Sequence, residues 1–174
     1  MLLEYLAARY PGTPLDGHIL YVSAARQRLF LVMDGRMQGC YPIATAKAGL
    51  GCTVDSYRTP PGLHRVAEKI GAGLPLGAVL KDRRPTGEVA DLARADSAQD
   101  VITSRILWLE GLEEGANRGG MVDSHDRYIY LHGTGDEASL GRPSSLGCIR
   151  MGNADIVALF EQVPVGALVV ILDN

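Results

Sequence analysis

The sequence predicts a mainly β domain with one or two helices. Glycine and proline supply 21 and 9 of the 174 residues, a content that favours many turns over long helices. From residue 18 onward, short segments rich in Leu, Val, Ile and aromatic residues recur between turn residues, as is typical of strands. The sequence has no internal repeat, low-complexity tract or linker. We therefore interpret residues 1–174 as a single domain with its core over residues 18–172.

The first half predicts a helix followed by strands. Residues 2–9 carry leucines and an alanine on one side, and Pro11 prevents a longer helix. Asp34-Gly35 predicts a hairpin turn, because both residue types tolerate positive φ. A second turn is predicted at residues 59–62. The strands predicted around these turns are His18–Ser23, Arg28–Met33, about Arg36–Ala46, and Leu63–Ile70.

The second half predicts three more strands and a second helix. Residues 81–88 are polar and turn-rich, so we interpret them as a solvated surface loop, with a cleft rim as the alternative. A long loop is predicted over residues 133–147. Asn153 is the expected N-cap of a helix over residues 154–163 with one apolar face. The predicted strands are Val101–Leu109, Arg127–His132 and Ala167–Leu172.

Composition and charge exclude several classes of partner. The net charge is −3 and no basic block occurs, so we expect no nucleic-acid partner. No apolar run is long enough to span a bilayer, so we expect no membrane partner. The N-terminus has no basic n-region, and Glu4 interrupts its short apolar stretch, which predicts a cytoplasmic protein. A periplasmic protein that has lost its export signal is the alternative.

The three cysteines, Cys40, Cys52 and Cys148, leave at least one thiol unpaired. We favour reduced thiols at Cys40 and Cys52 over a disulfide between them. A zinc site built from cysteines and histidines would need a close ligand pair such as C-x-x-C, which the sequence lacks. We therefore expect no metal and no cofactor.

The most informative pattern is a histidine at a strand end, His132, followed sixteen positions later by Cys148. A histidine and a cysteine held together can form a thiolate–imidazole pair, the minimal apparatus of nucleophilic acyl transfer. Strand alternation places Tyr130 and His132 on the face opposite the aliphatic residues. Gly133 permits a sharp exit from the strand, and Thr134 offers a hydroxyl group nearby.

The residues around Cys148 suit the same chemistry. Gly147 lets the backbone approach a substrate carbonyl, and the N–H groups of Gly147 and Cys148 are natural oxyanion donors. Arg150 offers a planar fork to a carboxylate. Ser145 is expected to serve the turn and hydrogen bonding rather than nucleophilic attack, since no G-x-S-x-G motif surrounds it. We place Tyr130, Thr134, Ser145 and Arg150 as substrate-binding residues.

Two motifs resemble the signature of the L,D-transpeptidase catalytic domain, the YkuD family. They are His132-Gly133-Thr134 and Ser145-Leu146-Gly147-Cys148-Ile149-Arg150. The resemblance continues upstream in the opening hairpin, the third strand and the Thr-Pro-x-Gly turn, and it covers roughly residues 18–172. It implies a YkuD-like β-sandwich with a cleft that holds the Cys/His pair. The segments that resemble the family upstream are Ile19–Val32, Tyr41–Thr45, Arg58–Gly62, Ile102–Trp108 and Tyr128–Thr134.

The resemblance implies a role for each matching residue. Cys148 would be the nucleophile and His132 its base, with the Gly133 carbonyl orienting the imidazole. Gly147 and Cys148 would supply oxyanion N–H groups, and Arg150 would contact a substrate carboxylate. The implied substrate is a peptidoglycan stem tetrapeptide or muropeptide. Cysteine would attack the carbonyl of meso-diaminopimelate and expel D-Ala, and the acyl group would pass to an amine or to water.

One departure from the family motif bears on the acceptor. The family's histidine before Gly-Cys is Leu146 here, so a polar group beside the nucleophile is missing. Together with the expected cytoplasmic location, this favours water as the acceptor and an L,D-carboxypeptidase of muropeptide recycling. The alternatives are an L,D-transpeptidase that forms 3-3 crosslinks or exchanges D-amino acids, a catalytically silent muropeptide-binding module, and a cysteine hydrolase for another acyl substrate.

Overall fold

The structure, a computed structural model, describes residues 2–94 and 100–174. Helix α1 spans Leu2–Arg9 and α2 spans Asn153–Gln162. The strands in these ranges are β1 His18–Ser23, β2 Arg28–Met33, β3 Arg36–Ala44, β4 Gly62–Ile70, β5 Ala78–Lys81, β6 Arg84–Val89, β7 Ile102–Gly111, β8 Tyr130–Thr134, β9 Ile149–Met151 and β10 Leu168–Leu172. The predicted mainly β fold with two helices is confirmed.

The strands of the described residues form one sheet that closes on itself. Their order is β4-β10-β1-β2-β3-β9-β8-β7-β5-β6, and a further pairing of β4 with β7 closes the ring. Hydrogen bonds thus join the two layers of the expected sandwich, and the β5–β6 hairpin extends beyond the closure. Most neighbours are antiparallel, but β1 with β10 and β8 with β9 are parallel.

The main core lies inside the closed sheet and beneath α2. Alternation along β10 decides which side each residue faces: Val169 and Ile171 join the main core, whereas Val170 joins a smaller cluster under α1. Leu6 of α1 is fully buried in that second cluster. Both faces of β10 are therefore covered, which explains its unbroken apolar sequence.

Three elements differ from the sequence expectation. Residues 81–88, predicted as a loop, lie largely in the β5–β6 hairpin, whose second strand is exposed throughout and has no apolar alternation to reveal it. The strand predicted over Arg127–His132 begins at Tyr130, because Tyr128 has a left-handed φ of 56° that interrupts extended backbone. The short strand β9 was not expected. Of the segment 77–100, whose role the sequence left open, residues 95–99 lie outside the described residues.

Asn153 does not cap α2 as predicted. The helix begins at this residue and Gly152, which has no side chain, occupies the N-cap position. The Asn153 N–H donates instead to Glu137 Oε1 at 2.7 Å. The Asn153 side chain instead reaches sideways to the strands that carry the candidate site. Within the described part of the chain, no helix is long and apolar enough to cross a membrane.

Candidate active site

Strands β8 and β9 bring His132 and Cys148 together. The two strands pair in parallel with Leu131 opposite Ile149 and His132 opposite Arg150. Cys148 directly precedes β9, so its side chain lies beside the start of β8. The two residues, sixteen positions apart in sequence, therefore lie on adjacent strands, and both side chains line one pocket.

The Cys148 thiol is held by backbone groups rather than by the imidazole. Its Sγ donates to the Tyr128 carbonyl oxygen at 3.2 Å and accepts from the Tyr130 N–H at 3.4 Å. Among the described residues, no hydrogen bond joins Cys148 to His132. The thiol S–H is thus directed to the Tyr128 carbonyl oxygen rather than to the imidazole.

The His132 imidazole is oriented by the residue that follows it. Its Nδ1–H donates to the Gly133 carbonyl oxygen at 2.6 Å, so Nε2 is left as the basic nitrogen. Burial lowers the pKa of His132 to about 4, and the positive charge of Arg150 acts in the same direction. The imidazole is therefore neutral at pH 7 and able to accept a proton.

Burial also keeps the Cys148 thiol protonated. Removal from water raises its pKa to about 11, although the Tyr130 N–H and the charges of Arg150 and Arg127 oppose the rise. The free site consequently holds a neutral thiol beside a neutral imidazole, rather than the ion pair that the sequence suggested.

Two pockets meet at Cys148. The Arg150 pocket has a volume of about 220 Å³ and is lined by Asp100, Ile102, His132, Ser145, Leu146, Cys148 and Arg150. The Arg127 pocket has a volume of about 270 Å³ and is lined by Val54, Asp55, Tyr57, Asp126, Arg127, Tyr128, Ile129, Leu146, Gly147 and Cys148. Larger cavities of about 590 and 560 Å³ lie elsewhere, and neither is lined by Cys148 or His132. Cys148 can therefore be approached from two sides.

Comparison with known proteins places this arrangement in a family. The model of the L,D-transpeptidase catalytic domain, YkuD, matches residues 17–171. The chain belongs to this family. The members of this family are cysteine-dependent enzymes that act on peptidoglycan.

Sequence relatives agree with the family match. YqjB of Bacillus subtilis, named as a candidate L,D-transpeptidase, is 29% identical over 165 residues, which cover 94% of this chain and 74% of that protein. ErfK/SrfK of Salmonella typhimurium, another candidate L,D-transpeptidase, is 47% identical over 48 residues, or 28% of this chain and 16% of its own length.

Solved structures share the fold at low sequence identity. An L,D-transpeptidase from Mycobacterium smegmatis has a TM-score of 0.56 and 16% identity, over 89% of this chain and 58% of that one. L,D-transpeptidase 3 from Mycobacterium tuberculosis, bound to a faropenem-derived adduct, has a TM-score of 0.57 and 14% identity, over 90% and 60%. This chain thus spans about three fifths of the length of these solved chains.

In this YkuD domain, Arg150 already holds a carboxylate. Its Nη2 lies 2.6 Å from Asp100 Oδ1, and the arginine side chain is 7% exposed whereas the aspartate side chain is 50% exposed. Arg150 was expected to meet a substrate carboxylate in this pocket. The structure shows that such a carboxylate has to displace Asp100 or share the guanidinium with it.

Arg127, which the sequence did not single out, lines the other pocket. Among the described residues, its guanidinium donates to neutral acceptors at distances of 2.7 to 3.4 Å, and no carboxylate of these residues forms an ion pair with it. Burial lowers its pKa. The acceptors are the carbonyl oxygens of Gly51, Cys52 and Arg58 and the hydroxyl of Ser56. Arg127 therefore ties the loop before β4 to the segment before β8.

Ser145 and Gly147 shape the turn before the nucleophile. Ser145 Oγ donates to the Cys148 carbonyl oxygen and accepts the Gly147 N–H at 3.2 Å. In the free protein the Gly147 N–H is thus engaged within the turn, and its role as an oxyanion donor stays a prediction. Gly147 has a φ of 134°, a conformation that only glycine adopts without strain.

Gly133 is required by close packing. A Cβ atom there would lie 2.5 Å from the Thr103 carbonyl oxygen and 2.9 Å from Asn153 Oδ1. Its neighbour Thr134 is fully buried, and its hydroxyl accepts the Asp136 N–H at 3.1 Å. The contact of Thr134 with substrate stays a prediction, and in the free protein this hydroxyl lies within the fold.

Tyr130 reaches the nucleophile through its backbone. Its N–H faces the sulfur, while its hydroxyl accepts a hydrogen bond from Arg83 of the β5–β6 turn at 3.1 Å. The Arg83 guanidinium also lies 5.1 Å from the Trp108 ring centre and 5.0 Å from that of Tyr128. Part of the segment left open by the sequence thus packs on the strand that carries the site. The contact of Tyr130 with substrate stays a prediction, and in the free protein its hydroxyl is engaged with Arg83.

Cys40, Cys52 and Cys148 are all free thiols. Cys40 is exposed and Cys52 is half-buried. Among residues 2–94 and 100–174, no cluster of three or more His, Cys, Asp or Glu side chains could hold a metal ion. His64 is fully buried, and its ring nitrogens hydrogen-bond to the Gly62 carbonyl oxygen and the Ser124 hydroxyl.

Proposed function

We propose that this domain is an L,D-carboxypeptidase that releases terminal D-Ala from a peptidoglycan stem tetrapeptide. The observation that carries the proposal is Leu146, which is 66% exposed and lines both pockets that meet at Cys148. An apolar side chain at this junction offers no hydrogen bond and no base to an incoming amine. Water needs neither a binding subsite nor a second peptide, so hydrolysis is the outcome that the site supports best.

The reaction begins with attack by Cys148 on the substrate, and its proton passes to His132 during that attack. The thiol leaves the Tyr128 carbonyl by rotating about its Cα–Cβ bond, and Nε2 of the neutral imidazole accepts the proton. The sulfur attacks the carbonyl carbon of meso-diaminopimelate. Collapse of the tetrahedral intermediate expels D-Ala, whose amine takes the proton from the imidazolium.

Hydrolysis of the thioester completes the cycle. His132 takes a proton from water, hydroxide adds to the acyl carbon, and the C–S bond breaks. The products are the tripeptide acid and the regenerated thiol. One histidine therefore serves as base and acid in turn, which its neutral resting form permits.

Arg150 supplies the contact for a substrate carboxylate. Asp100 is half exposed and returns to water at little cost, whereas the buried guanidinium needs a permanent counter-charge. A substrate carboxylate that replaces Asp100 keeps Arg150 paired.

Replacement of Arg150 by alanine is expected to lower kcat/KM, mainly by raising KM. Arg150→Lys is expected to restore kcat/KM only in part, because lysine lacks the planar fork.

The test is mass spectrometry of the protein incubated with a diaminopimelate-containing muropeptide tetrapeptide, with Cys148→Ala alongside. We expect tripeptide and free D-Ala from the wild type, and neither product from Cys148→Ala or His132→Ala. Circular dichroism serves as the control that both variants are folded. Absence of D-Ala in the wild type, with the tetrapeptide still bound, contradicts the proposal and indicates a binding module.

A transpeptidase is the second candidate, because two pockets meet at the nucleophile. Separate entrances suit one peptide as acyl donor and another as acceptor. The same experiment distinguishes the two activities: a crosslinked dimer, or incorporation of an added D-amino acid in place of D-Ala, identifies acyl transfer to an amine. The variant Leu146→His then tests whether the family's residue shifts products from tripeptide toward dimer.

A further inference from the structure

The peptide group between Gly147 and Cys148 is held by a residue that no motif assigns to the site. Thr59 is fully buried, and its hydroxyl donates to the Gly147 carbonyl oxygen at 2.9 Å across 88 residues of sequence. The Thr59 hydroxyl oxygen, Oγ1, accepts the Ala46 N–H at 2.9 Å. The hydroxyl therefore donates one hydrogen bond and accepts another, and these two bonds fix its direction.

Thr59 is itself held firmly. Its N–H donates to the Gly49 carbonyl at 3.1 Å, and its carbonyl accepts the Gly51 N–H at 2.9 Å. The preceding carbonyl, that of Arg58, accepts from Arg127 at 2.7 Å. The hydroxyl that meets Gly147 thus projects from a loop that is anchored on both sides.

This contact decides where the Cys148 N–H points. A peptide group is planar and trans, so its N–H and C=O point in opposite directions. Because Thr59 holds the Gly147 carbonyl on the buried side, the Cys148 N–H is directed away from Thr59. The described part of the chain provides no acceptor for it.

The other candidate donor of the turn is unavailable. The Gly147 N–H donates to Ser145 Oγ, as described above. The Cys148 N–H is therefore the amide of this turn that can meet an oxyanion on the carbon attacked by the same residue's sulfur.

We infer that Thr59 is a positioning residue for acyl transfer, which acts through the Gly147 carbonyl to aim the Cys148 N–H at the developing oxyanion. It touches no substrate and takes no proton. The inference rests on the acyl-transfer chemistry proposed for Cys148, but it holds for any carbonyl substrate and for either acceptor.

Two reagents separate this role from a general effect on the thiol. p-Nitrophenyl acetate acetylates a cysteine through an oxyanion: the S–C bond forms, the C–O bond breaks, p-nitrophenolate leaves, and the thiol proton goes to His132. Iodoacetamide alkylates the same sulfur at a saturated carbon with loss of iodide, and no oxyanion forms. Peptide mass spectrometry reports each modification at Cys148 separately from Cys40 and Cys52.

Thr59→Val keeps the shape of the side chain and removes the donor. We expect the rate of Cys148 acetylation to fall about 10- to 100-fold, which does not exceed the rate loss caused by removing a whole oxyanion donor. The rate of alkylation should stay within about threefold of the wild type. Thr59→Ser retains the hydroxyl and should restore acetylation. With the tetrapeptide substrate, Thr59→Val should lower kcat and leave KM nearly unchanged.

Thr45→Val is the matched control, because Thr45 is also buried and its hydroxyl pairs with Gln27 rather than with Gly147. It should leave both modification rates within about threefold of the wild type. If Thr59→Val does not fold by thermal melting, Thr59→Ala removes the same donor. Equal losses in acetylation and alkylation, or no loss in either, would overturn the inference. Failure of the wild type to release D-Ala would contradict the proposed function alone.

Discussion

Cys148 and His132 lie where both side chains are held neutral. The pKa of the thiol is raised to about 11 and that of the imidazole is lowered to about 4, each chiefly by burial. A thiolate–imidazolium pair would need the opposite order of pKa values. Proton transfer at this site therefore accompanies attack on the substrate instead of preceding it.

This protonation state predicts the pH dependence of alkylation. Iodoacetamide reacts with the thiolate, so its rate at Cys148 should rise about tenfold per pH unit from pH 7 to pH 10 without a plateau. The rate is measured by peptide mass spectrometry, which distinguishes Cys148 from the exposed Cys40. A plateau between pH 5 and pH 8 would indicate a preformed ion pair and contradict the neutral one.

At the scale of elements, the first residue of α2 connects three parts of the fold. Asn153 Oδ1 accepts from the hydroxyls of Thr103 and Ser104 at 2.5 and 2.6 Å, which ties α2 to β7. Its Nδ2 donates to the Thr134 carbonyl at 2.8 Å and to Glu137 Oε1 at 2.7 Å. The end of β8, where His132 lies, is positioned by this buried amide.

Asn153→Asp should therefore destabilise the protein strongly. The substitution keeps the shape but removes both N–H donors and places a second carboxylate against Glu137. We expect a loss of about 3 kcal/mol in the free energy of unfolding, measured by urea denaturation at pH 7. Gln162→Glu, at an amide that only donates to Ala158 on the helix surface, should change it by less than about 0.5 kcal/mol. A loss below that of the control would refute the anchoring role.

Apolar periodicity in the sequence predicted some helices and strands and missed others. The predicted helix over residues 2–9 and the strands His18–Ser23 and Arg28–Met33 coincide with α1, β1 and β2, because apolar alternation and turn residues mark them. Every residue of β6 is exposed, so its sequence carries no alternation of apolar and polar residues that would predict a strand. β9 has only three residues, and it exists because β3 and β8 pair with it on either side.

For the whole molecule, two buried histidines couple stability to pH. His64 and His132 are both buried, and burial lowers the pKa of each to about 4. In the unfolded chain their pKa values return to about 6.5. The unfolded state therefore binds more protons between pH 6.5 and pH 4, and stability falls as the pH is lowered through this range.

We expect each histidine to contribute a loss of about 2 kcal/mol in unfolding free energy between pH 7 and pH 5. Urea denaturation at the two pH values measures the difference. His64→Gln should remove about half of the histidine contribution. An equal pH dependence for wild type and His64→Gln would show that His64 does not contribute.

The sequence by itself determined the mainly β fold, the bounds of its most periodic elements, and the His132 and Cys148 motifs that identify the family. These features are local: alternation, turn residues and short motifs are properties of neighbouring residues. Only the tertiary structure decided that the Cys148 thiol donates a hydrogen bond to the Tyr128 carbonyl and that Asp100 forms an ion pair with Arg150. It also decided that Arg127 lines a pocket and that the Thr59 hydroxyl binds the Gly147 carbonyl. These contacts join residues 20 to 88 positions apart, and local patterns carry no information about such pairs.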